Sequence, residues 1–188
     1  MGTLAAADAA YYDDPILTTS WYPYRAFTAL LEAIVRAKGG RNEELFEVGV
    51  FSGSQDADTI FRIVMSLASV ERVISACPRF WKRYSSAGDF EIQLVEKGRV
   101  EVALTGFPDI HPGHCHLAAG WMKGLGETAG AKNASVQQTR CVHHGDPRCE
   151  FVATWSWFFK RIPDSRAPRP RYTPLPGTAD LARLPPRS

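Results

Sequence analysis

The chain has 188 residues and a mass of 20.8 kDa, which suits one domain of ordinary size with or without a tail. Hydrophobic residues make up 45% and charged residues 22%, the balance of a globular protein rather than of a disordered chain. No apolar run reaches the ~18–20 residues of a membrane span. Residues 1–8 also lack the basic start and the long apolar stretch of a secretory signal. We therefore expect a cytoplasmic protein.

The net charge of +2 conceals a basic C-terminal segment. Residues 163–188 hold five arginines and two aspartates, so they carry +3 and the remainder of the chain carries −1. A body without surplus positive charge makes nucleic acid an unexpected partner. The same segment holds seven of the 13 prolines, which favours a solvated tail, with docking to a partner protein as the alternative. We expect a flexible N-terminal segment over 1–14, one domain over 15–162 and the tail over 163–188.

Helical periodicity dominates the first half of the chain. Apolar residues at steps of three and four predict helices over residues 21–38, 43–48, 60–68 and 70–77. Ser20 is placed to cap the first helix, and Gly39-Gly40 to end it. Pro78 is expected to end the fourth helix, because proline lacks the backbone donor that a helix interior needs.

The pattern changes to alternation in the second half. The predicted elements there are a β-hairpin over residues 90–94 and 100–104, a helix over 113–129, and a second hairpin over 135–142 and 149–157. Gly120, Gly124 and Gly126 let another backbone approach the helix closely, so we expect it to pack tightly on the sheet. This order of elements predicts an α+β fold, with a mainly antiparallel sheet and helices packed on one face.

Cysteines and histidines concentrate in residues 111–149, which hold three of the four cysteines and all five histidines. Cys141 and Cys149 flank the turn of the second hairpin, so they should lie close together. Cys115 begins the glycine-rich helix, whose first turn can reach the mouth of that hairpin. Grouped cysteines and histidines in the cytosol are typical of metal ligands. Three thiolates and one further donor would suit tetrahedral zinc.

The spacing leaves the fourth ligand open. A histidine of the turn, His143 or His144, is chemically better than the neutral amide of Gln138, and we include His144 in the predicted metal set with Cys115, Cys141 and Cys149. His111, His114 and His116 are further options beside the first thiol. Other interpretations are a cross-hairpin disulfide, inert or redox-active thiols, bound haem, and a Cys–His nucleophilic pair.

The cysteine pattern resembles a known family. Cys115-x4-Gly120-x3-Gly124, followed by the segment RCVHHGDPRCEF over 140–151, is similar to the 4-vinyl reductase domain family. The likeness covers about residues 87–157. Residues 11–160 more loosely resemble a myxobacterial paralogous family of unknown function that ends in a similar GDPxCxF motif. The resemblance implies a fold related to the small subunits of the TRAPP transport particle.

The resemblance also implies a function. Members of this wider group bind small hydrophobic molecules, often as homodimers, and several are sensory domains of aromatic-responsive transcription activators with zinc beside the ligand pocket. The implied ligands are Cys115, Cys141 and Cys149, whereas the acidic fourth ligand of the family is replaced by Gln138. One branch works in bacteriochlorophyll synthesis, which leaves a tetrapyrrole-related enzyme or accessory as an alternative. A protein-interaction module like the transport-particle subunits is another.

Aromatic side chains are plentiful, and most should belong to the core. We select six as candidate walls of an apolar ligand cavity: Trp21, Phe27, Trp81, Trp121, Phe151 and Trp155. The chain offers no dinucleotide fingerprint and no catalytic constellation. The leading interpretation is therefore a sensor or regulatory domain that binds a hydrophobic or aromatic molecule and carries a structural zinc ion.

Overall fold

A computed structural model describes residues 9–17, 20–59, 70–107 and 109–156. Its helices are α1 (Tyr24–Ala37), α2 (Leu45–Thr59), α3 (Val70–Tyr84) and α4 (Pro112–Thr128). Its strands are β1 (Asp89–Glu96), β2 (Arg99–Thr105), β3 (Lys132–Arg140) and β4 (Cys149–Ser156). Short 3-10 helices lie at Ala10–Tyr12, Asn42–Glu44 and Val142–His144. The predicted helix over 60–68 and the predicted tail lie outside the described residues.

The four described strands form one antiparallel sheet in the order β1-β2-β4-β3. Val102 stands at its centre, opposite Ile92 on β1 and Phe151 on β4. Gly98 has a φ of +77°, the left-handed conformation that closes the tight turn between β1 and β2. The two predicted hairpins are thus adjacent in one sheet, and the predicted α+β fold is confirmed.

One face of the sheet and the helices enclose the hydrophobic core. Alternate residues of β2 and β4 point into it, as period two requires, and α3 and α4 supply the opposite wall. The core includes Val73, Cys77, Val102, Leu104, Cys115, Ala119, Leu125 and Phe151. No helix among the described residues is both long enough and apolar enough to cross a membrane.

Helices α2 and α4 approach each other through glycines on both sides. A methyl group at Gly120 would lie 2.0 Å from the Phe46 carbonyl oxygen, and one at Gly53 would lie 2.2 Å from the Trp121 carbonyl oxygen. Those distances are far below van der Waals contact, so no side chain fits there. The close approach predicted for the α4 glycines is therefore made to a second helix at Gly120 and Gly124, and the expectation that these two glycines face the sheet was wrong.

Three helix boundaries also differ from the sequence prediction. Helix α1 begins at Tyr24 after Pro23, so Ser20 does not cap it. Helix α2 runs over 15 residues instead of ending near residue 48, because its glycine face is buried against α4. Helix α3 continues through Pro78 to Tyr84, since its buried Val73 and Cys77 hold it on the sheet despite the missing backbone donor.

Candidate functional site

Three buried thiols converge where the first turn of α4 meets the β3–β4 hairpin. The Sγ atoms of Cys115, Cys141 and Cys149 all lie within 4.8 Å of one another. The thiol of Cys115 donates to Cys149 Sγ at 3.4 Å. We call these three residues the sulfur cluster. Across the described ranges, no other three His, Cys, Asp or Glu side chains come together in this way.

The start of α4 fixes the first thiol of the cluster. His111 is the N-cap residue, and its Nδ1 accepts a hydrogen bond from the Gly113 backbone N–H at 3.0 Å. Pro112 occupies the first helical turn, where its missing N–H has no helical partner to lose. Cys115 follows on the buried side of this turn, with 2% of its surface exposed. His111 therefore acts as a cap rather than as a member of the sulfur cluster.

The hairpin turn fixes the other two thiols. The Asp146 carboxylate accepts from the Cys141 backbone N–H at 2.8 Å, and the Asp146 N–H donates back to the Cys141 carbonyl at 3.2 Å. Gly145 closes the turn with a φ of +92°. Cys149 then opens β4 opposite Leu104 of β2. The Gly-Asp pair of the motif thus shapes the loop that carries both cysteines.

Burial makes the thiols of the sulfur cluster weak acids. The pKa of Cys115 is raised chiefly by desolvation, and further by Cys149 and Cys141, while a hydrogen bond from the Gln138 side chain opposes the rise. The pKa of Cys149 is also raised by desolvation, against the Val142 backbone hydrogen bond. Without a metal these two groups hold their protons, which a bound cation would displace.

The cluster fits a tetrahedral metal ion. Zn–S bonds of about 2.3 Å place two sulfurs of a tetrahedron roughly 3.8 Å apart, and the observed separations lie around that value. Gln138 is exposed on β3, where its side chain reaches Cys115. His144 is exposed on the turn and lies outside the cluster. Cys77, the remaining thiol, is buried in the core, where desolvation raises its pKa to about 12.

An aromatic cavity of about 640 Å³ lies on the other side of α4. Its walls come from α1, α2, the end of α3 with the loop after it, β1 and α4. We call it the aromatic cavity, and the residues that matter below are Tyr24, Phe27, Asp56, Trp81, His114 and Trp121. Two indole groups are fixed by hydrogen bonds: Trp121 Nε1 donates to Asp56 Oδ2 at 2.7 Å, and Trp81 Nε1 to the Gly88 carbonyl at 3.3 Å.

His114 is the polar group deep in this cavity. Only 7% of its surface is exposed, and its Nδ1 lies 3.0 Å from the Tyr24 hydroxyl oxygen. Rings of Phe27 and Phe107 meet its imidazole edge to face, with centroids 5.5 and 5.2 Å away, and Trp81 stacks at 6.4 Å. Desolvation lowers the pKa of His114 to about 4, with a smaller contribution from the nearby His111. The imidazole is therefore neutral at physiological pH.

The charged groups of the cavity stand at its rim. Lys82 and Arg83 are exposed, and Lys82 pairs with Asp89 at 2.5 Å. Asp56 is half-buried and holds the Trp121 indole. The interior therefore presents aromatic carbon and one neutral imidazole, whereas fixed charge stays near water.

The six aromatic residues selected from the sequence divide into two sets. Phe27, Trp81 and Trp121 line the aromatic cavity, and Trp21 lies at its surface with 64% of its area exposed. Phe151 is fully buried in the core, and Trp155 borders a separate apolar void of about 40 Å³. The site developed below is therefore built without the last two. A ligand role for any of the six stays a prediction.

Sequence reasoning missed the pair formed by Tyr24 and His114. The two residues are 90 positions apart, so no local spacing could join them. His114 drew attention only as a neighbour of Cys115. A signal does exist in hindsight: successive residues of a helix point about 100° apart, so a histidine beside a buried cysteine faces a different neighbour.

Residues 99–154 match the model of the 4-vinyl reductase domain family. This match confirms the predicted resemblance, over the segment that carries all three thiols of the sulfur cluster. No curated protein matches this sequence.

Solved structures share the fold. An H-NOX protein from S. oneidensis in the Fe(II)NO ligation state superposes with a TM-score of 0.62 at 13% identity, covering 80% of this chain and 87% of that one. The phenol-responsive sensory domain of the transcription activator PoxR, with phenol, gives 0.57 at 17% identity, covering 73% and 76%. Subunit 3 of a trafficking protein particle complex from Naegleria fowleri, covalently bound to palmitic acid, gives 0.53 at 13% identity, covering 71% and 93%. The expected relationship to the TRAPP-subunit fold is confirmed.

Proposed function

We propose that this protein is a sensor domain that binds a small aromatic or otherwise hydrophobic molecule in the aromatic cavity. One observation carries the proposal: a cavity of about 640 Å³ walled by aromatic rings around one buried histidine. Ligand sites in proteins have volumes of roughly 300–1,000 Å³ and combine apolar walls with a few polar groups. The volume is large enough for a compound of two fused rings.

The comparisons support this proposal through the fold. The PoxR sensory domain responds to phenol and was solved with it, and the trafficking-complex subunit carries palmitic acid. Two structures of this architecture thus have apolar ligands. Transfer of that property to the present chain depends on the cavity described above, because identities of 13–17% extend to the fold alone.

A structural zinc ion at the sulfur cluster is the second part of the proposal. Cys115, Cys141 and Cys149 would hold it, and the fourth donor would be Gln138, a turn histidine such as His144, or a solvent molecule. Zinc bound by thiolates supplies a rigid cross-link and no redox chemistry. It would tie the first turn of α4 to the β3–β4 hairpin, and thereby fix one wall of the aromatic cavity.

The helix shared by both sites gives a route for the signal. A ligand in the aromatic cavity touches His114, and a displacement of α4 would reach α2 through the glycine contacts. A homodimer, or a protein partner that includes the C-terminal tail among its contacts, would read that displacement. The output is thus a change in a surface, and no bond of the ligand is broken.

Titration of tryptophan fluorescence tests the proposal directly. Trp81 and Trp121 line the cavity, so naphthalene and 2-naphthol are expected to quench the emission of purified protein in a saturable way. Phe27→Ala removes an apolar wall and should weaken binding by about tenfold, as loss of one buried ring predicts. Phe51→Ala is the matched control, since Phe51 is 67% exposed on α2 and does not line the cavity.

The competing occupant is haem. The same purified protein distinguishes the two, because a haem domain is coloured and shows a Soret band. Absence of saturable quenching by any apolar compound, together with a colourless protein, would reject ligand binding in this cavity. A Soret band that Phe27→Ala abolishes would replace the aromatic ligand with haem.

A further inference from the structure

The hydrogen atoms around His114 can be assigned from its contacts. The Tyr24 hydroxyl oxygen accepts from the His111 backbone N–H at 3.3 Å and lies 3.0 Å from His114 Nδ1. Nδ1 is the acceptor available to the Tyr24 hydroxyl proton among the described residues. A neutral imidazole that accepts at Nδ1 carries its own hydrogen on Nε2. His114 therefore presents an N–H donor at Nε2.

That donor opens on the aromatic cavity. His114 is the one buried polar or charged side chain among the described residues, and Nε2 has no hydrogen-bond partner within them. Its neighbours are aromatic rings, those of Phe27, Trp81 and Phe107, which offer carbon rather than an acceptor. A buried donor without a partner is unfavourable, and a ligand that supplies an acceptor removes the penalty.

We propose that the Nε2–H group of His114 anchors the ligand, which is a flat apolar molecule bearing a neutral oxygen acceptor, a hydroxyl or a carbonyl. The inference rests on the proposed function and specifies the chemistry of the same cavity. A carboxylate is disfavoured as the anchored group, because the cavity interior has no cation among the described residues. The basic side chains Lys82 and Arg83 are exposed at the rim, and Lys82 is already paired with Asp89.

Two probes of nearly equal shape test the anchor. 2-Naphthol carries a hydroxyl where 2-methylnaphthalene carries a methyl group, so their affinities differ mainly through one hydrogen bond. Wild-type protein should bind 2-naphthol about tenfold more tightly, as expected for a buried polar pair. 2-Naphthoate should bind more weakly than 2-naphthol. Isothermal titration of the full chain measures all three.

Three variants locate the effect. His114→Phe keeps the ring and removes the donor, so the two neutral probes should bind equally. His114→Gln keeps an N–H near the position of Nε2 and should restore part of the preference for 2-naphthol. His116→Phe is the matched control: it changes the residue on the other side of Cys115, outside the cavity lining, and should keep the tenfold preference.

Each outcome has a distinct meaning. Failure of wild-type protein to bind any probe rejects the proposed function and the anchor with it. Equal binding of the two neutral probes by wild type, a preference that survives His114→Phe, or tighter binding of 2-naphthoate rejects the anchor alone. If His114→Phe does not fold, histidine ¹⁵N NMR of wild type decides: the Nε2 resonance of His114 must shift with 2-naphthol and stay in place with 2-methylnaphthalene.

Discussion

The sulfur cluster and the aromatic cavity share helix α4 and are built in opposite ways. Two thiols of the cluster come from one hairpin, whose turn is held by paired hydrogen bonds between Cys141 and Asp146. The cavity is assembled from five segments, largely through ring contacts, and its mouth includes the exposed Trp21. A short, hydrogen-bonded loop suits an ion that stays, whereas separate aromatic walls can adjust to a ligand that exchanges.

The two sites meet at consecutive residues. His114 lines the cavity and Cys115 belongs to the cluster, so a single turn of helix contributes to both. Because neighbouring helix positions point about 100° apart, one turn serves two sites on different sides. The difference between a fixed site and an adaptable one can therefore be tested by disturbing either site, or the helix between them.

The largest effect is expected from breaking the cluster. Cys149→Ser should reduce bound zinc from about one ion per chain to almost none and lower the melting temperature by about 10 °C or more, because metal binding contributes to folding free energy. Elemental analysis of protein prepared without a His tag, with calorimetry, measures both. Cys77→Ser is the control: this thiol lies in the core outside the cluster, so the zinc content should be unchanged. Wild-type protein without metal would contradict the expectation.

The next effect is expected from forcing α4 away from α2. Gly120→Ala places a methyl group 2.0 Å from the Phe46 carbonyl oxygen and should destabilise the protein by about 3 kcal/mol, the upper range for overpacking. Gly126→Ala is its matched partner on the same helix, since the nearest atom to the added methyl is 3.8 Å away. That change should stabilise the protein by about 0.5–1 kcal/mol through helix propensity. Urea unfolding of both variants gives the comparison, and equal effects would refute the tight contact.

The smallest effect is expected from removing the metal without mutation. If the cluster fixes the wall that carries His114, protein stripped of zinc by a chelator should bind 2-naphthol about fivefold more weakly, within the usual range of coupling between sites. Linkage requires the reciprocal effect, so saturating 2-naphthol should strengthen zinc binding by the same factor. Equal affinities of metal-loaded and metal-free protein, at matched helix content, would make the two sites independent.

The extent of sequence prediction differs between these sites for a physical reason. The thiols of Cys141 and Cys149 are joined by a turn of local origin, in which Gly145 and Asp146 set the backbone, so a motif could indicate their proximity. The contact of Tyr24 with His114 spans 90 positions and depends on how α1 lies against α4. No periodicity records such a contact.

Helix boundaries illustrate the same limit. Propensity predicted an end at Pro78 and a break near Gly49, and both positions lie inside helices. Burial of an apolar face compensates for the missing hydrogen bond in α3, and packing against α4 compensates for glycine in α2. Local rules were correct about the cost at each residue, and tertiary contacts outweighed it.

The amino-acid sequence by itself determined the two hairpins, the antiparallel α+β class, and the segment in which three cysteines would gather. Those features depend on alternation, turn residues and spacing, which act within a few positions. Only the tertiary structure decided that Gly120 and Gly124 of α4 face a second helix, that His144 stands outside the sulfur cluster, and that His114 opens on an aromatic cavity. Such outcomes follow from the packing of distant segments, where the free energy of burial outweighs local preference.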